Sequence, residues 1–404
     1  MHVMFIPSWY DNNRNKVHGS FFREQANKLQ ENGVKVTVAY NEIWPLTLMG
    51  KIKEKSGLSF KVEKGLRTYR YKNYNFIPKN PLMFKVFDKR MEKLYKEITK
   101  REGKIDIIHA QSSLWGGISA SYVAKKYNIP LVITEHSSVE RGVYVKKSYY
   151  KRIIESYKSS NKVIAVGNGL KKEIEKLSGR NDIEVIGNLV DLSLFDIRDI
   201  KRESNEFIFF SVAFLEGEKG FDTLIKAFAE KYKNKNAKLV VGGDGSQMEW
   251  LKGIAKSENV EDQVVFTGAL SREEVANWMN KCNAFVLPSR YETFGVVYIE
   301  ALASGKPVIG TFNGGAEDIV TKEVGILVEI DNVKALSEAM EYIEQNHKKY
   351  EPRALRKYCT EKFSANVIIN KIINVYKEII KESVKLIWKN SLIFHRIARS
   401  LKII

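Results

Sequence analysis

Short runs of β-branched and aromatic residues alternate with amphipathic stretches of helical length along almost the whole chain. In the first half, runs of this kind predict strands at His2–Ser8, Lys35–Tyr40, Ile105–Gln111, Leu131–Glu135, Lys162–Val166 and Glu184–Gly187. In the second half they predict strands at Glu206–Leu215, Lys238–Gly242, Val264–Thr267, Ala284–Pro288, Pro307–Gly310 and Gly325–Glu329. Strands that alternate with helices of about 10–15 residues are typical of parallel βαβ units. The pattern therefore predicts an α/β protein with two doubly wound domains.

The periodicity breaks near Asn188–Arg202, which is rich in aspartate. We place the domain boundary there, with a first domain at 1–192 and a second at 193–363. Helical patterning continues through 364–404.

Residues 44–104 interrupt the pattern of the first domain. They hold 17 basic and six acidic residues, with aromatic residues between them. One interpretation is a solvated insertion with strands of its own. The other is a basic, aromatic surface for an anionic or lipid-linked partner.

Composition excludes several classes of protein. The chain has 404 residues and is 44% hydrophobic, so it can bury a sizeable core. Two cysteines exclude a disulfide framework, and no spacing of metal ligands is present. The start of the chain lacks a secretory signal pattern, and no apolar run approaches the roughly 18–20 residues that span a bilayer. We expect a cytoplasmic protein.

The positive charge is uneven along the chain. The formal net charge is +18, of which 1–200 carry +15, whereas 201–384 carry −2. Residues 385–404 hold five Lys or Arg and no acid, with apolar residues at helical spacing. Such a tail is typical of an interfacial helix on anionic lipid, or of a helix packed on the first domain. The charge by itself fits either an anionic membrane or a nucleic acid.

Glycine-rich loops that follow strands and open helices are candidate anion sites. Gly19 precedes the first predicted helix, and Gly242-Gly243-Asp244-Gly245 follows a strand in the second domain. The second loop lacks the third glycine of the dinucleotide fingerprint, so a nicotinamide cofactor is not expected. The chain also lacks the phosphate-loop pattern of nucleoside triphosphatases.

The most informative segment is Pro288–Ala301, which runs from a strand end into a helix. The helix N-terminus offers free N–H groups near Gly295, Val296 and Val297 that can hold a diphosphate. Glu292 before the helix and Glu300 inside it can accept hydrogen bonds from sugar hydroxyls. The segment therefore predicts a site for a phosphate and a polyol. The alternative is that neither glutamate binds a ligand. Glu292 would then be an acid that the helix dipole favours near the N-terminus, and the spacing of Glu300 would be coincidental.

This segment resembles the Glu-x7-Glu signature of the family-4 retaining glycosyltransferases. Further segments resemble that family in the same order along about residues 3–380: Gly19, Asp106-Ile107-Ile108-His109, Thr134-Glu135-His136, Asn188-Leu189-Val190-Asp191, Glu218-Lys219-Gly220-Phe221-Asp222, Gly243-Asp244-Gly245, Val265-Phe266-Thr267-Gly268 and Asn313-Gly314-Gly315-Ala316-Glu317-Asp318. As a set they are highly specific for the family.

The resemblance implies a GT-B fold, in which two Rossmann-like domains face a central cleft and 364–384 cross back to the first domain. It implies catalytic roles for Lys219, Glu292 and His136, and an acceptor-side role for His109. The implied donor-binding residues are Gly19, Gly243, Gly245, Phe266, Gly268, Phe294, Gly295, Val296, Val297 and Glu300. No metal and no cofactor are implied, because the nucleotide-diphosphate-sugar is a substrate.

The activity implied is transfer of a sugar from a UDP- or GDP-linked donor to a glycan or lipid-linked acceptor, in the synthesis of cell-surface polysaccharide or glycolipid. We expect the chain to sit peripherally at the inner membrane face, through 385–404 and 44–104, and not to bind nucleic acid. The alternatives are a nucleotide-sugar epimerase or phosphorylase of the same fold, a non-catalytic nucleotide-sugar-binding subunit, and a basic nucleic-acid binder.

One departure from the family pattern concerns the leaving diphosphate. Family members usually carry Arg a few residues before the Lys, but Ala213-Phe214 stands at that place here. Lys219 and backbone N–H groups could suffice, or Arg290 or Lys306 could substitute. In the third interpretation the enzyme is slow or inactive.

Overall fold

A computed structural model describes residues 1–12, 14, 19–142, 144–199 and 205–400, with the backbone alone at 384 and 386–400. The chain forms two compact units. The first comprises the described residues of Met1–Val166, Leu170–Ile186 and Ile369–Ile404, and the second those of Gly167–Gly169 and Gly187–Ile368.

The described strands of the first unit form one eight-stranded sheet in the order β3-β4-β2-β1-β5-β6-β7-β8. Their bounds are β1 (His2–Pro7), β2 (Lys35–Trp44), β3 (Gly57–Glu63), β4 (Leu66–Tyr74), β5 (Ile107–Gln111), β6 (Leu131–Glu135), β7 (Lys162–Ala165) and β8 (Glu184–Val185). All neighbours pair in parallel except β3 and β4, which are antiparallel. The accompanying helices are α1 (Ser20–Glu31), α2 (Met83–Glu102), α3 (Ile118–Tyr127), α4 (Tyr150–Ser159) and α5 (Asn168–Ser178).

The segment 44–104 extends this sheet. Strand β4 pairs with β2 up to Trp44 and Tyr74, and helix α2 packs its apolar face against the sheet. Several basic side chains of the segment pair with acids of the segment itself or of β2. For example, buried Arg70 contacts Glu42 at 3.1 Å and Glu63 at 2.6 Å. The segment has two strands of its own, β3 and β4, and these strands are an integral part of the first unit.

The described strands of the second unit form a parallel sheet in the order β11-β10-β9-β12-β13-β14. Their bounds are β9 (Phe207–Val212), β10 (Ala237–Gly242), β11 (Val264–Gly268), β12 (Ala284–Val286), β13 (Val308–Thr311) and β14 (Gly325–Val328). The helices are α6 (Phe221–Tyr232), α7 (Met248–Ser257), α8 (Arg272–Lys281), α9 (Val296–Ala303), α10 (Val333–Asn346) and α11 (Pro352–Phe363). The predicted doubly wound α/β architecture is confirmed in both halves.

The strand order of the second sheet reverses direction between β9 and β12. In open parallel sheets, the loops that leave the carboxyl ends of such neighbouring strands diverge and leave a ligand crevice. The loops after β9 and β12 are the segments around Lys219 and Glu292.

A long helix, α12 (Ala365–Ser400), follows α11. It begins in the second unit, and its residues from Ile369 onward belong to the first. Within the described part of the chain, no helix combines the length and the apolar character needed to cross a bilayer.

Candidate functional site

Loops after β9, β10, β12 and β13 interlock at the carboxyl edge of the second sheet. The backbone N–H of Arg290 donates to Glu218 O at 2.7 Å, and that of Leu215 to Asp244 O at 3.0 Å. The N–H of Glu292 donates to Asn313 O at 3.2 Å. Predicted site residues that are far apart in sequence are therefore held at one edge.

Glycine is required where two of these loops touch. Gly243 has φ +122°, and a Cβ added there would lie 1.9 Å from the carbonyl oxygen of Ala213. Gly220 has φ +69°, and its Cβ would lie 2.1 Å from Pro288 O. Gly245 is similarly crowded, with Leu215 O at 2.5 Å. These glycines allow close approach between backbones, and Gly243 and Gly220 also adopt the left-handed conformation.

We expect Gly243→Ala to lower the free energy of unfolding by about 2–4 kcal/mol, because overlap with Ala213 O adds to the strain at positive φ. Gly253→Ala is the matched control. Gly253 lies inside α7, where an added Cβ meets nothing within 4 Å, so alanine should stabilise by about 0.5–1 kcal/mol. Urea denaturation followed by circular dichroism measures both. Equal stability of the two variants would contradict the close approach.

Lys219 and Glu292 form an ion pair across the two central loops. Lys219 Nζ lies 2.7 Å from Glu292 Oε1, and the hydroxyl of buried Ser289 donates to the same oxygen at 2.9 Å. An ammonium has three N–H donors, so Lys219 can hold Glu292 and an anion together. Ser289 was missed as a site residue, although it lies in the segment that predicted the site.

Glu300 is buried in the second turn of α9, where Arg272 Nη2 lies 3.4 Å from its Oε1. The Arg272 guanidinium also covers the ring of Phe195, with 5.5 Å to the ring centroid. Gly295 caps α9 with φ +91°, and the N–H groups of the first turn follow it. The sequence offered no signal for Arg272, which is 28 residues from Glu300.

Two more predicted donor-binding residues lie at the end of the neighbouring strand β11, whereas a third predicted residue, Phe294, is buried by packing. Phe266 and Gly268 lie at the carboxyl end of β11, and the N–H of Gly243 donates to Gly268 O at 2.8 Å. Phe294, in contrast, is buried. It packs against Phe363, with 5.8 Å between ring centroids, and against the backbone of Gly187. In this structure the Phe294 ring is a packing group, and its contact with the donor stays a prediction.

The cations suggested as substitutes for the usual Arg are placed elsewhere. Arg290 is held by Asp222 at 2.8 Å and Asp331 at 2.7 Å, and these two carboxylates raise its pKa. Lys306 precedes β13, at the opposite edge of the sheet, where it donates to Asn280 O. Phe214, at the place of the usual Arg, is 79% exposed. Of the three cations considered for the diphosphate, Lys219 therefore remains the predicted one.

In the first unit, Gly19 and His136 lie at the carboxyl edge of the sheet. Gly19 has φ +70°, and a Cβ there would lie 2.6 Å from Trp9 O. His136 follows β6 and is nearly buried, with its ring centroid 5.0 Å from that of Phe22. Its Nε2 donates to Gln111 Oε1 at 2.7 Å. Gln111, at the end of β5, was not predicted and orients the imidazole.

His109 lies one layer deeper and is fully buried. Its Nδ1 is 2.5 Å from the hydroxyl of Tyr376 on α12, and its Nε2 is 2.7 Å from that of Thr134. Burial lowers its pKa to about 3, so the ring stays neutral at physiological pH. The ring is enclosed in this structure, and the acceptor-side role of His109 stays a prediction. The ring supports Gln111, whose Nε2 is 3.1 Å away.

Among the described residues, no group of three or more His, Cys, Asp or Glu side chains is placed to hold a metal ion.

Comparisons with known proteins cover most of the chain. The family model described as "Glycosyl transferases group 1" matches residues 193–362, and that described as "Glycosyltransferase Family 4" matches 19–194. An uncharacterised glycosyltransferase of Methanocaldococcus jannaschii is 31% identical over 71% of this chain and 79% of its own. A Bacillus subtilis protein, named as a glycosyltransferase of teichuronic acid biosynthesis, is 27% identical over 84% of this chain and 88% of its own. Among solved structures, HepE of Anabaena in complex with UDP has a TM-score of 0.72 at 17% identity, covering 94% of this chain and all of that one.

Proposed function

The chain belongs to the group 1, family-4 glycosyltransferases, and we propose that it uses a nucleotide-diphosphate-sugar donor and retains the anomeric configuration. The acceptor would be a hydroxyl of a glycan or lipid-linked sugar. Within the family, the observation that carries the proposal for this chain is the Lys219–Glu292 pair at the topological switch point. The helix α9 that begins beside it carries Glu300.

Donor binding follows from the chemistry of these groups. Glu300 would accept hydrogen bonds from the two ribose hydroxyls, with Arg272 fixing the orientation of its carboxylate. Glu292 would accept from hydroxyls of the transferred sugar. The first N–H groups of α9, at Val296 and Val297, would bind the diphosphate together with Lys219. Gly243, Gly245 and Gly268 would shape the nucleotide loops, and Gly19 would offer backbone N–H groups of its own loop in the first unit to an anion.

The transfer step breaks the bond between the anomeric carbon and the β-phosphate oxygen. A bond from the acceptor oxygen forms on the same face of the sugar, and the acceptor proton passes to a phosphate oxygen of the leaving diphosphate. Lys219 would stabilise the charge that develops on that group, and one such donor typically contributes a few kcal/mol to lowering the barrier. His136, oriented by Gln111, would position the acceptor.

The name of the Bacillus subtilis relative supports an acceptor in cell-surface polysaccharide synthesis. The UDP in the Anabaena structure makes UDP the first nucleotide to test. The basic segments support a peripheral position at the inner membrane face, through 385–404 and 44–104. The backbone of the tail is helical to Ser400, whereas the side chains of 386–400 and residues 401–404 lie outside the described part of the chain.

A non-catalytic nucleotide-sugar-binding protein is the second candidate. It is favoured by one observation, the exposed Phe214 at the place of the usual Arg.

A thermal-shift panel of nucleoside diphosphates and their sugars tests the proposal, followed by an assay of nucleotide release. We expect one nucleoside diphosphate to stabilise the protein, by about 2.7 kcal/mol at a hundred times its Kd. Release of that diphosphate from its sugar should then depend on a glycan acceptor. Binding without release would support the second candidate. Conversion of the donor without acceptor would indicate an epimerase, and no binding by any nucleotide would contradict both.

A further inference from the structure

Two neighbouring segments of the first unit expose several large apolar side chains to solvent. We call these side chains the apolar tip: Met49, Phe76, Ile77, Leu82 and Val86. Phe76 is 61% exposed and Leu82 is 55% exposed. Four of the five lie within the eleven residues 76–86, which run from the loop after β4 into the first turn of α2. Clustered exposure of this kind marks an interaction surface, whereas scattered apolar residues are ordinary.

Pairing of β2 with β4 brings the two segments together. Both strands end at the pair Trp44 and Tyr74, and the N–H of Asn75 donates to Trp44 O at 2.9 Å. The Tyr74 hydroxyl reaches Leu48 O at 3.4 Å, and the amide of Asn75 contacts Met83 Sδ at 3.4 Å. The turn before Met49, the loop at Phe76 and the start of α2 therefore form one surface.

Exposed lysines lie in the same two segments as the apolar tip: Lys51, Lys53, Lys79 and Lys85. Acids of the same segments are engaged elsewhere. Glu54 pairs with Lys72, and Asp88 pairs with Arg152 at 3.3 Å. These acids therefore do not neutralise the lysines. Apolar side chains beside exposed cations are complementary to an anionic lipid surface, which offers hydrocarbon below a layer of phosphate groups.

The apolar tip lies at the same edge of the sheet as Gln111 and His136. Strands β4, β2, β1 and β5 are neighbours and run parallel, so their carboxyl ends share that edge. Three strand spacings separate β4 from β5, which is roughly 15 Å. An acceptor whose lipid stays in the bilayer could therefore present its sugar head group to this edge.

We propose that the apolar tip inserts into the surface of an anionic bilayer. Insertion would orient the first unit so that the edge of its sheet that holds Gln111 and His136 faces the lipid. The proposal deepens the proposed function, because it rests on a lipid-linked acceptor. It assigns the contact to side chains of the folded first unit, in addition to the tail.

Site-specific labelling tests insertion directly. Both native cysteines, Cys282 and Cys359, are fully buried, so a cysteine introduced by Phe76→Cys can be labelled selectively with an environment-sensitive fluorophore. Trp250→Cys is the matched control, because Trp250 is 53% exposed on α7 of the second unit. With vesicles of phosphatidylcholine and phosphatidylglycerol we expect a blue shift at residue 76 and none at residue 250. Equal responses at both positions, or none at residue 76, would overturn the proposal.

Co-sedimentation with the same vesicles gives the energetic test in the full-length chain. F76S/L82S should lower the vesicle partition coefficient about tenfold or more, because both side chains leave the lipid. W250S/Y342S, at exposed sites of the second unit, should leave it unchanged. Unchanged sedimentation of F76S/L82S would overturn the proposal. The proposal would also be overturned if the unmodified chain is a dimer in solution, F76S/L82S is a monomer, and the two bind vesicles equally. That result would assign the apolar tip to contact with a second copy of the chain.

Two readouts separate this proposal from the proposed function. Nucleotide binding and transfer to a water-soluble glycan should be the same in F76S/L82S and the unmodified chain. Loss of vesicle binding with transfer retained supports the apolar tip. Transfer that is absent from both proteins contradicts the function, whereas the label at residue 76 still decides whether the tip inserts.

Discussion

Lys219→Ala is expected to lower kcat at least about a hundredfold, with little change in the unfolding temperature. Lys219 is the cation placed at the switch-point loop, and Phe214 leaves no second cation where the family usually has one. Its partly exposed ion pair with Glu292 should contribute little to stability, about 0–1 kcal/mol for pairs of this kind. Steady-state kinetics with the donor identified by the binding panel measure the effect.

Lys226→Ala is the matched control, since Lys226 is exposed on the following helix, α6. It should leave kcat unchanged. Phe214→Arg in the Lys219→Ala background should restore part of the rate, because the new guanidinium stands where the family places its cation. A loss below about tenfold in Lys219→Ala would mean that stabilisation of the diphosphate does not depend on this residue.

Glu300→Gln is expected to weaken binding of the free nucleoside diphosphate by about 1–3 kcal/mol, or about five- to 150-fold in Kd. A carboxylate accepts charge-assisted hydrogen bonds from two hydroxyls, whereas an amide oxygen is a weaker, neutral acceptor. The substitution also removes the charge that pairs with Arg272. Titration calorimetry measures the change, with Glu338→Gln on the exposed face of α10 as the control.

Arg272 provides a second check on Glu300. If Arg272 acts by orienting that carboxylate, Arg272→Ala should weaken nucleotide binding in the unmodified chain and have little further effect in Glu300→Gln. A double-mutant cycle isolates this coupling. Unchanged Kd in Glu300→Gln would remove Glu300 from the nucleotide site.

Local patterning predicted the order of strands and helices well, because the period of apolar residues is a property of neighbouring positions. The strands β3 and β4 were not located individually, since charged residues alternate along them and they lie toward the edge of the sheet. Their place in the sheet depends on pairing with β2 and on α2 packing against the sheet.

Residues that end parallel strands could also be predicted from the sequence. Lys219, Gly243 and Glu292 follow β9, β10 and β12, and the carboxyl ends of neighbouring parallel strands necessarily share an edge. Their positions after parallel strands were enough to predict that they lie at one edge of the sheet. The structure adds the ion pair between Lys219 and Glu292.

Only the tertiary structure decided which of the candidate groups are open to a ligand. Phe294 and His109 occupy motif positions, yet packing against Phe363 and Tyr376 encloses them. Arg290 is committed to carboxylates 68 and 41 residues away, and Arg272 reaches Glu300 across 28 residues. Burial and pairing depend on groups brought together from distant parts of the chain, whereas a motif records only its own neighbours. The sequence by itself therefore determined the fold class and the edge of the sheet that holds the candidate site, and the packing determined which side chains at that edge remain available to a ligand.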